Sequence, residues 1–122
     1  MENLYLKKTV YPSEEKTILV ENDDIFGGAH RYSFIGSVGY QKGKPAYDFH
    51  DIQTIQFMKN EEDGVIRIGV QSEQLLIALI DRHKKLNRIN PTKEQALAIT
   101  KMEEALMWLE AYERERLEYL KE

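Results

Sequence analysis

Thr92-Lys-Glu-Gln-Ala-Leu-Ala-Ile-Thr-Lys-Met-Glu-Glu-Ala-Leu-Met-Trp-Leu-Glu-Ala111 decides the fold of this chain. Its apolar residues recur at helical spacing and on more than one face. At about 100° per residue, Ala98, Ile99, Met102, Ala105, Leu106, Leu109, Leu117 and Leu120 share one side. Leu97, Trp108, Tyr112 and Tyr119 share a second, with Met107 and Ala111 further round. The preceding stretch, Ser72 to Asn87, also has helical spacing. It offers Leu75, Leu76, Leu79, Ile80 and Leu86 to close a seam against the first side. One partner helix does not cover two faces. The surplus predicts further cover, from the sheet of the same chain, from other copies, or from both.

The break between the two helices is Asn87-Arg88-Ile89-Asn90-Pro91-Thr92. Pro91 cannot continue a helix. Asn87 is read as a C-terminal cap. Thr92 is read as an N-cap, with Gln95 three residues on completing a capping box. A short connection makes the helices antiparallel neighbours, with the second running from Thr92 to Glu122. Its end alternates signs (Glu110, Glu113, Arg114, Glu115, Arg116, Glu118) and reads as a solvated, ion-paired surface.

Upstream the periodicity shortens. Leu4 to Tyr11 alternates in part and reads as a strand, Pro12 to Glu15 as a turn, and Lys16 to Val20 as a second strand. Tyr32, Phe34, Val38 and Tyr40 continue the strand pattern. Gly36 and Gly39 lie inside it, where glycine marks a bulge or a close backbone approach. Lys42-Gly43-Lys44-Pro45 reads as a hairpin turn, with Ala46 to Asp48 pairing back and Ile52 to Met58 as another strand. Asp63-Gly64 is a hairpin signal before a last strand through Val65, Ile66, Ile68 and Val70. The reading is an α+β protein. An N-terminal antiparallel β-sheet (1–70) precedes a C-terminal antiparallel helical hairpin (71–122), in one compact domain.

Composition narrows the function classes. The 122 residues are 42% apolar, enough for a core, and 31% charged. No run approaches the roughly 20 apolar residues of a spanning helix. The N-terminus has no pattern of a signal peptide. There is no cysteine, hence no disulfide, thiolate nucleophile or cysteine-based zinc site. The net charge of -4 lacks the basic footprint that duplex nucleic acid favours. No nucleophile, metal or paired-carboxylate constellation supports catalysis. His50 beside Asp48 and Asp51 is the one grouping with metal-ligand chemistry, and a single histidine is a weak case for a metal.

Two blocks carry a resemblance. The segment 96–111 resembles the helical hairpin shared by two groups of phage anti-defence proteins, the anti-CBASS protein 2 group and the Thoeris anti-defence protein 1 group. The second group adds an N-terminal β-sheet, and Phe26-Gly-Gly-Ala-His-Arg-Tyr32 also resembles it. The resemblance implies a sponge that binds cyclic nucleotide immune signals without cleaving them. For the Thoeris group the signal is glycocyclic ADP-ribose from bacterial TIR-domain enzymes. The resemblance further implies dimers and hexamers, cyclic trinucleotides at separate sites in some members, no cofactor, and action in the host bacterial cytoplasm.

A ligand of that kind sets physical needs. Pyrophosphate needs backbone N–H groups or cations. Adenine needs an aromatic or apolar wall. Ribose needs polar side chains or carbonyls. Gly27, Gly28, Ala29 and His30 are candidates for close approach to phosphate, against a plain loop needing positive φ. Phe26 is a candidate stacking residue, against a core anchor. Arg82, near the apolar border of the first helix, would be a costly buried charge without an anion if it faced the sheet. Its neighbour His83 reads as packing. Arg88, Asn90 and Thr92 in the interhelical loop are candidates to close over a ligand, against a solvated turn. Thr100 is a candidate donor, with Arg88, at a symmetry axis. Its bland reading is a bond back to the carbonyl of residue 96. Two rivals stand beside the sponge: an enzyme that opens the ring, and a protein-binding inhibitor of a defence enzyme.

Overall fold

The computed structural model describes residues 3–22, 29–60 and 66–120. The chain divides into two units, Met1–Val70 and Gln71–Glu122. The first holds a four-stranded antiparallel sheet in the order β1 (Asn3–Tyr5), β2 (Ile18–Asn22), β3 (Ala29–Gln41), β4 (Lys44–Gln56). A two-residue ladder follows between β5 (Lys59–Asn60) and β6 (Ile66–Arg67). The second unit is the helical hairpin of α1 (Ser72–Ile89) and α2 (Lys93–Leu120). The α+β order is thus as read from the sequence.

The first strand is shorter than the reading of Leu4 to Tyr11. β2 begins only at Ile18, so pairing ends once the Leu6 N–H donates to the Ile18 carbonyl at 2.8 Å. The chain then turns, with the Ser13 N–H donating to the Val10 carbonyl. Lys16 and Thr17 precede β2 rather than belonging to it. Thr17 is buried, and its carbonyl accepts the Ile35 N–H at 2.9 Å.

β3 and β4 form the backbone of the sheet. The register sets Leu4, Val20, Tyr32 and Ile55 side by side on one face. Tyr5, Leu19, Ser33 and Thr54 lie on the other. Val20 is buried on the first face and Ile35 on the second. Tyr32 also meets Phe57 edge to face, ring centroids 5.7 Å apart, a favoured aromatic geometry.

Ala46–Asp48 and Ile52–Met58 are not separate strands: β4 runs unbroken from Lys44 to Gln56. A register shift hid its continuity. Ile35 opposes Ile52 and Gly36 opposes Asp48, leaving Phe49, His50 and Asp51 without counterparts. Such a bulge breaks the two-residue alternation. Gly36 permits it, since a Cβ there would run into the Asp51 side chain. A second shift leaves Val38 unpaired beside Gly39, whose φ of 135° suits glycine. The turn itself is only Lys42-Gly43, with φ of 54° and 78°. Two left-handed residues are the signature of a two-residue hairpin loop, so Lys44 and Pro45 belong to β4.

The predicted Asp63-Gly64 turn lies outside the described residues. Of the last predicted strand, Ile66 lies in β6, and Val70 forms an isolated parallel bridge with Phe57. Met58 donates to the Val70 carbonyl and Val70 to the Gln56 carbonyl, both at 2.9 Å.

In the hairpin, Ile80 and Ile99 are buried at the seam, with Leu76, Met102, Leu106 and Leu109 half-buried around them. The seam is narrower than its sequence reading. Ala98, Ala105, Leu117, Leu79 and Leu86 are exposed, because two helices cover only one side of each other. α2 is also longer, 28 residues against 18. The second face stays open: Trp108 is 65% and Tyr112 64% exposed, and Leu97, Met107 and Tyr119 are exposed as well. Ion pairs Asp81–Lys85, Lys101–Glu104 and Glu110–Arg114 lie on helix surfaces, and Lys84–Glu103 at 3.1 Å bridges the helices. Arg116 hydrogen-bonds Glu113 and holds its carboxyl below the ordinary range. Exposed pairs of this kind contribute little.

Candidate functional site

The hairpin loop is built by interlocking caps. The Thr92 hydroxyl accepts the Gln95 N–H at 3.1 Å, as an N-cap does. Gln95 does not complete the box. Its Oε1 lies 2.8 Å from His83 Nδ1, tying α2 back to α1. The Thr92 N–H instead donates to Asn87 Oδ1 at 2.9 Å. Asn87 therefore lies inside α1 and braces the next helix, and the C-terminal cap is Asn90, whose N–H donates to the Leu86 carbonyl. The three side chains fix a loop of three residues. Thr92→Ala is expected to lower stability by about 1 kcal/mol and Thr92→Ser by much less, read by urea unfolding. Equal losses for the two would contradict the cap.

Five sequence candidates lie on this hairpin. Arg88 is in the last turn of α1, Asn90 at its cap and Thr92 at the start of α2, all exposed around the loop. Thr100 is exposed two turns along α2, and its hydroxyl donates to the Ala96 carbonyl at 3.1 Å, the back-bonded state. Arg82 is exposed, not buried. Its charge is solvated and calls for no anion: the i+3 and i+4 spacing sets Arg82 beside Leu79 and Leu86, which are exposed, with half-buried Leu75 further along α1.

The other five candidates lie in the sheet unit. Phe26, Gly27 and Gly28 fall outside the described residues. Ala29 opens β3, paired with Asn22. His30 follows, half-buried, with its carbonyl accepting the Phe57 N–H at 2.6 Å. Asp48 Oδ1 accepts the His50 N–H at 3.0 Å, shaping the β4 bulge.

One feature escaped the sequence reading. A groove of about 440 Å³ runs along the hairpin, lined by Ile77, Ile80, Leu106 and Met107 with Asp81, Lys84, Glu103 and Glu110. Its signal was present, because 77, 80, 81 and 84 recur at helical spacing, as do 103, 106, 107 and 110. Their mixed apolar and charged character concealed it. The sheet carries a smaller cleft of about 150 Å³ at Leu19, Val20, Glu21, Arg31 and Ser33, where Arg31 and Glu21 pair at 3.7 Å.

An antiparallel sheet followed by a capped helical hairpin, with polar groups gathered at the hairpin loop, defines the class of protein. The Acb2/Tad1 hairpin domain matches residues 44–112, more than half of the chain, and the chain belongs to that family. The match begins at the first residue of β4 and takes in α1 and most of α2. The block 26–32 precedes it. Membership is consistent with a phage anti-defence protein. A search of curated proteins found no match. Among the described residues no helix is long and apolar enough to cross a membrane.

Proposed function

We propose that this chain is a phage anti-defence sponge. It binds and sequesters a cyclic nucleotide immune signal, glycocyclic ADP-ribose from bacterial TIR-domain enzymes, in the host cytoplasm, without cleaving it and without a cofactor. The family match over 44–112 carries the reading. The open apolar surface of the hairpin supports self-association into a homo-oligomer. Tight binding without turnover requires an enclosed, preorganised pocket. The groove and cleft of one copy are open, and closure by neighbouring copies supplies the missing walls.

The chemistry assigns parts to the candidates. Arg82 and Arg88 supply guanidinium groups to phosphate oxygens, bidentate where geometry permits. Asn90 and Thr92 offer polar atoms to ribose hydroxyls, although the Thr92 hydroxyl already caps α2. Phe26 stacks on adenine, and Gly27, Gly28, Ala29 and His30 bring backbone close to the pyrophosphate. Thr100 and Arg88, repeated around a symmetry axis, suit a separate cyclic trinucleotide site.

Thermal-shift and calorimetric titration with cyclic ADP-ribose isomers tests the reading. A ligand at a hundredfold its Kd stabilises the native state by roughly 2.7 kcal/mol. A clear rise in Tm for the glycocyclic isomer is the expected result. No shift with any isomer would instead favour a module that blocks a defence enzyme through protein contact.

A further inference from the structure

The polar side chains around the interhelical turn fall into two sets. His83, Asn87 and Gln95 are half-buried and spent on the turn itself. Gln95 Oε1 has only acceptor capacity, so it takes the His83 Nδ1–H, at 2.8 Å. Asn87 Oδ1 takes the Thr92 N–H at 2.9 Å. On α1 the i+3 and i+4 spacing places His83 and Asn87 in line with half-buried Leu76 and buried Ile80. The apolar seam thus ends in a polar clasp. The second set, Arg88 and Asn90 with Lys93 and Glu94 beyond them, is exposed. Their side chains make no hydrogen bond or ion pair among the described residues. Apolar burial does not hold the turn, because Ile89 at the end of α1 is 82% exposed. The hydrogen bonds do.

A loop that closes over a ligand is ordered at the moment of binding, and the affinity carries that cost. This turn is ordered beforehand. Between α1 and α2 lie only Asn90, Pro91 and Thr92. The Asn90 N–H donates to the Leu86 carbonyl at 3.1 Å, the Thr92 N–H to Asn87, and Pro91 has none to give and a fixed φ. Every backbone donor of the turn is therefore engaged. We propose that His83, Asn87 and Gln95 are positioning residues, which hold the turn in its ligand-binding form before the ligand arrives. Arg88 and Asn90 then meet phosphate and ribose as a fixed pair, and the turn is a preset wall rather than a closing flap. The clasp acts through the turn, since its hydrogen-bonding atoms are already taken. The inference deepens the binding function proposed above and rests on it.

Two measurements on the full chain test it. Without ligand, the Thr92 and Gln95 amides are expected to exchange with deuterium at least about tenfold more slowly than in an unstructured peptide. Exchange at the peptide rate would make the turn a mobile flap and overturn the proposal. Binding of glycocyclic ADP-ribose is then measured by calorimetry on variants whose folding is checked by circular dichroism. Asn87→Ala and Gln95→Ala are each expected to raise Kd at least about tenfold, as for a turn that is competent a tenth of the time or less. Lost stability alone leaves the Kd of the folded chain unmoved. Gln95→Glu keeps an acceptor for the His83 Nδ1–H and is expected to bind as the unmodified chain does. A Gln95→Glu chain as weak as Gln95→Ala would overturn the clasp. Arg88→Ala is the contact control, and undiminished binding there would overturn the turn as a ligand wall. Weakened binding by Arg88→Ala, with Asn87→Ala and Gln95→Ala unchanged, would overturn the positioning role and leave the binding function standing. An unmodified chain that binds no cyclic ADP-ribose isomer would overturn both.

Discussion

Trp108→Glu with Tyr112→Glu is expected to dissolve the proposed homo-oligomer while the hairpin stays helical. The two aromatics lie one turn apart on α2, each about two-thirds open, on a face α1 does not reach. Ile80 and Ile99, which hold the seam, lie on the other side and are untouched. Buried interface tryptophan and tyrosine each account for about 2 kcal/mol or more on truncation, a roughly thirtyfold loss of affinity apiece. A carboxylate in their place adds desolvation of an unpaired charge. Light scattering after size exclusion therefore shows a fall in mass, and circular dichroism shows retained helicity. Unchanged mass would mean that this face is not an interface. Loss of helicity would mean that it is part of the hairpin's own stability.

Gly69→Ala is expected to destabilise the sheet unit by about 2–4 kcal/mol, in the range of steric and hydrogen-bond defects combined. A Cβ at Gly69 would stand 2.5–2.6 Å from backbone atoms of Gln56, Phe57 and Met58. Backbone does not swing aside as a side-chain tip does. The bridge must open, and with it the Met58–Val70 and Val70–Gln56 hydrogen bonds. Gly43→Ala is the comparison. It meets open space, so it carries only the strain of φ 78°, about 1 kcal/mol. Urea unfolding of the two variants separates the effects, and equal losses would contradict the steric account.

Legibility from sequence followed the range of the interactions. The hairpin was readable because its determinants are local. Pro91 stops one helix, Thr92 caps the next, and helical spacing picks out Ile80 and Ile99. The choice of cap was not readable, since Asn87 and Gln95 are each capable of two bonds and the tertiary contact with His83 decided between them. The length of β4 was hidden by a three-residue bulge. Ile52 and Ile55 lie on opposite faces of one regular stretch of ladder, opposing Ile35 and Tyr32, and the shift falls just before them, between Asp48 and Ile52; register belongs to a pair of strands rather than to one. At the site, the exposure of Arg82 was not legible, because helical spacing alone does not tell which residues at an apolar border are covered. Thr100 can bond locally or serve a ligand, and its hydroxyl makes the local bond to the Ala96 carbonyl.

The central claim is capture without conversion. The assembled protein is loaded with glycocyclic ADP-ribose and washed free of unbound ligand. It is then heat-denatured, and the released small molecule is resolved by chromatography with mass detection. The account predicts release of the signal at its original mass and retention, at about one molecule per pocket. Release of a linear or hydrolysed product, in amounts growing with incubation time before heating, would contradict it and make the protein an enzyme.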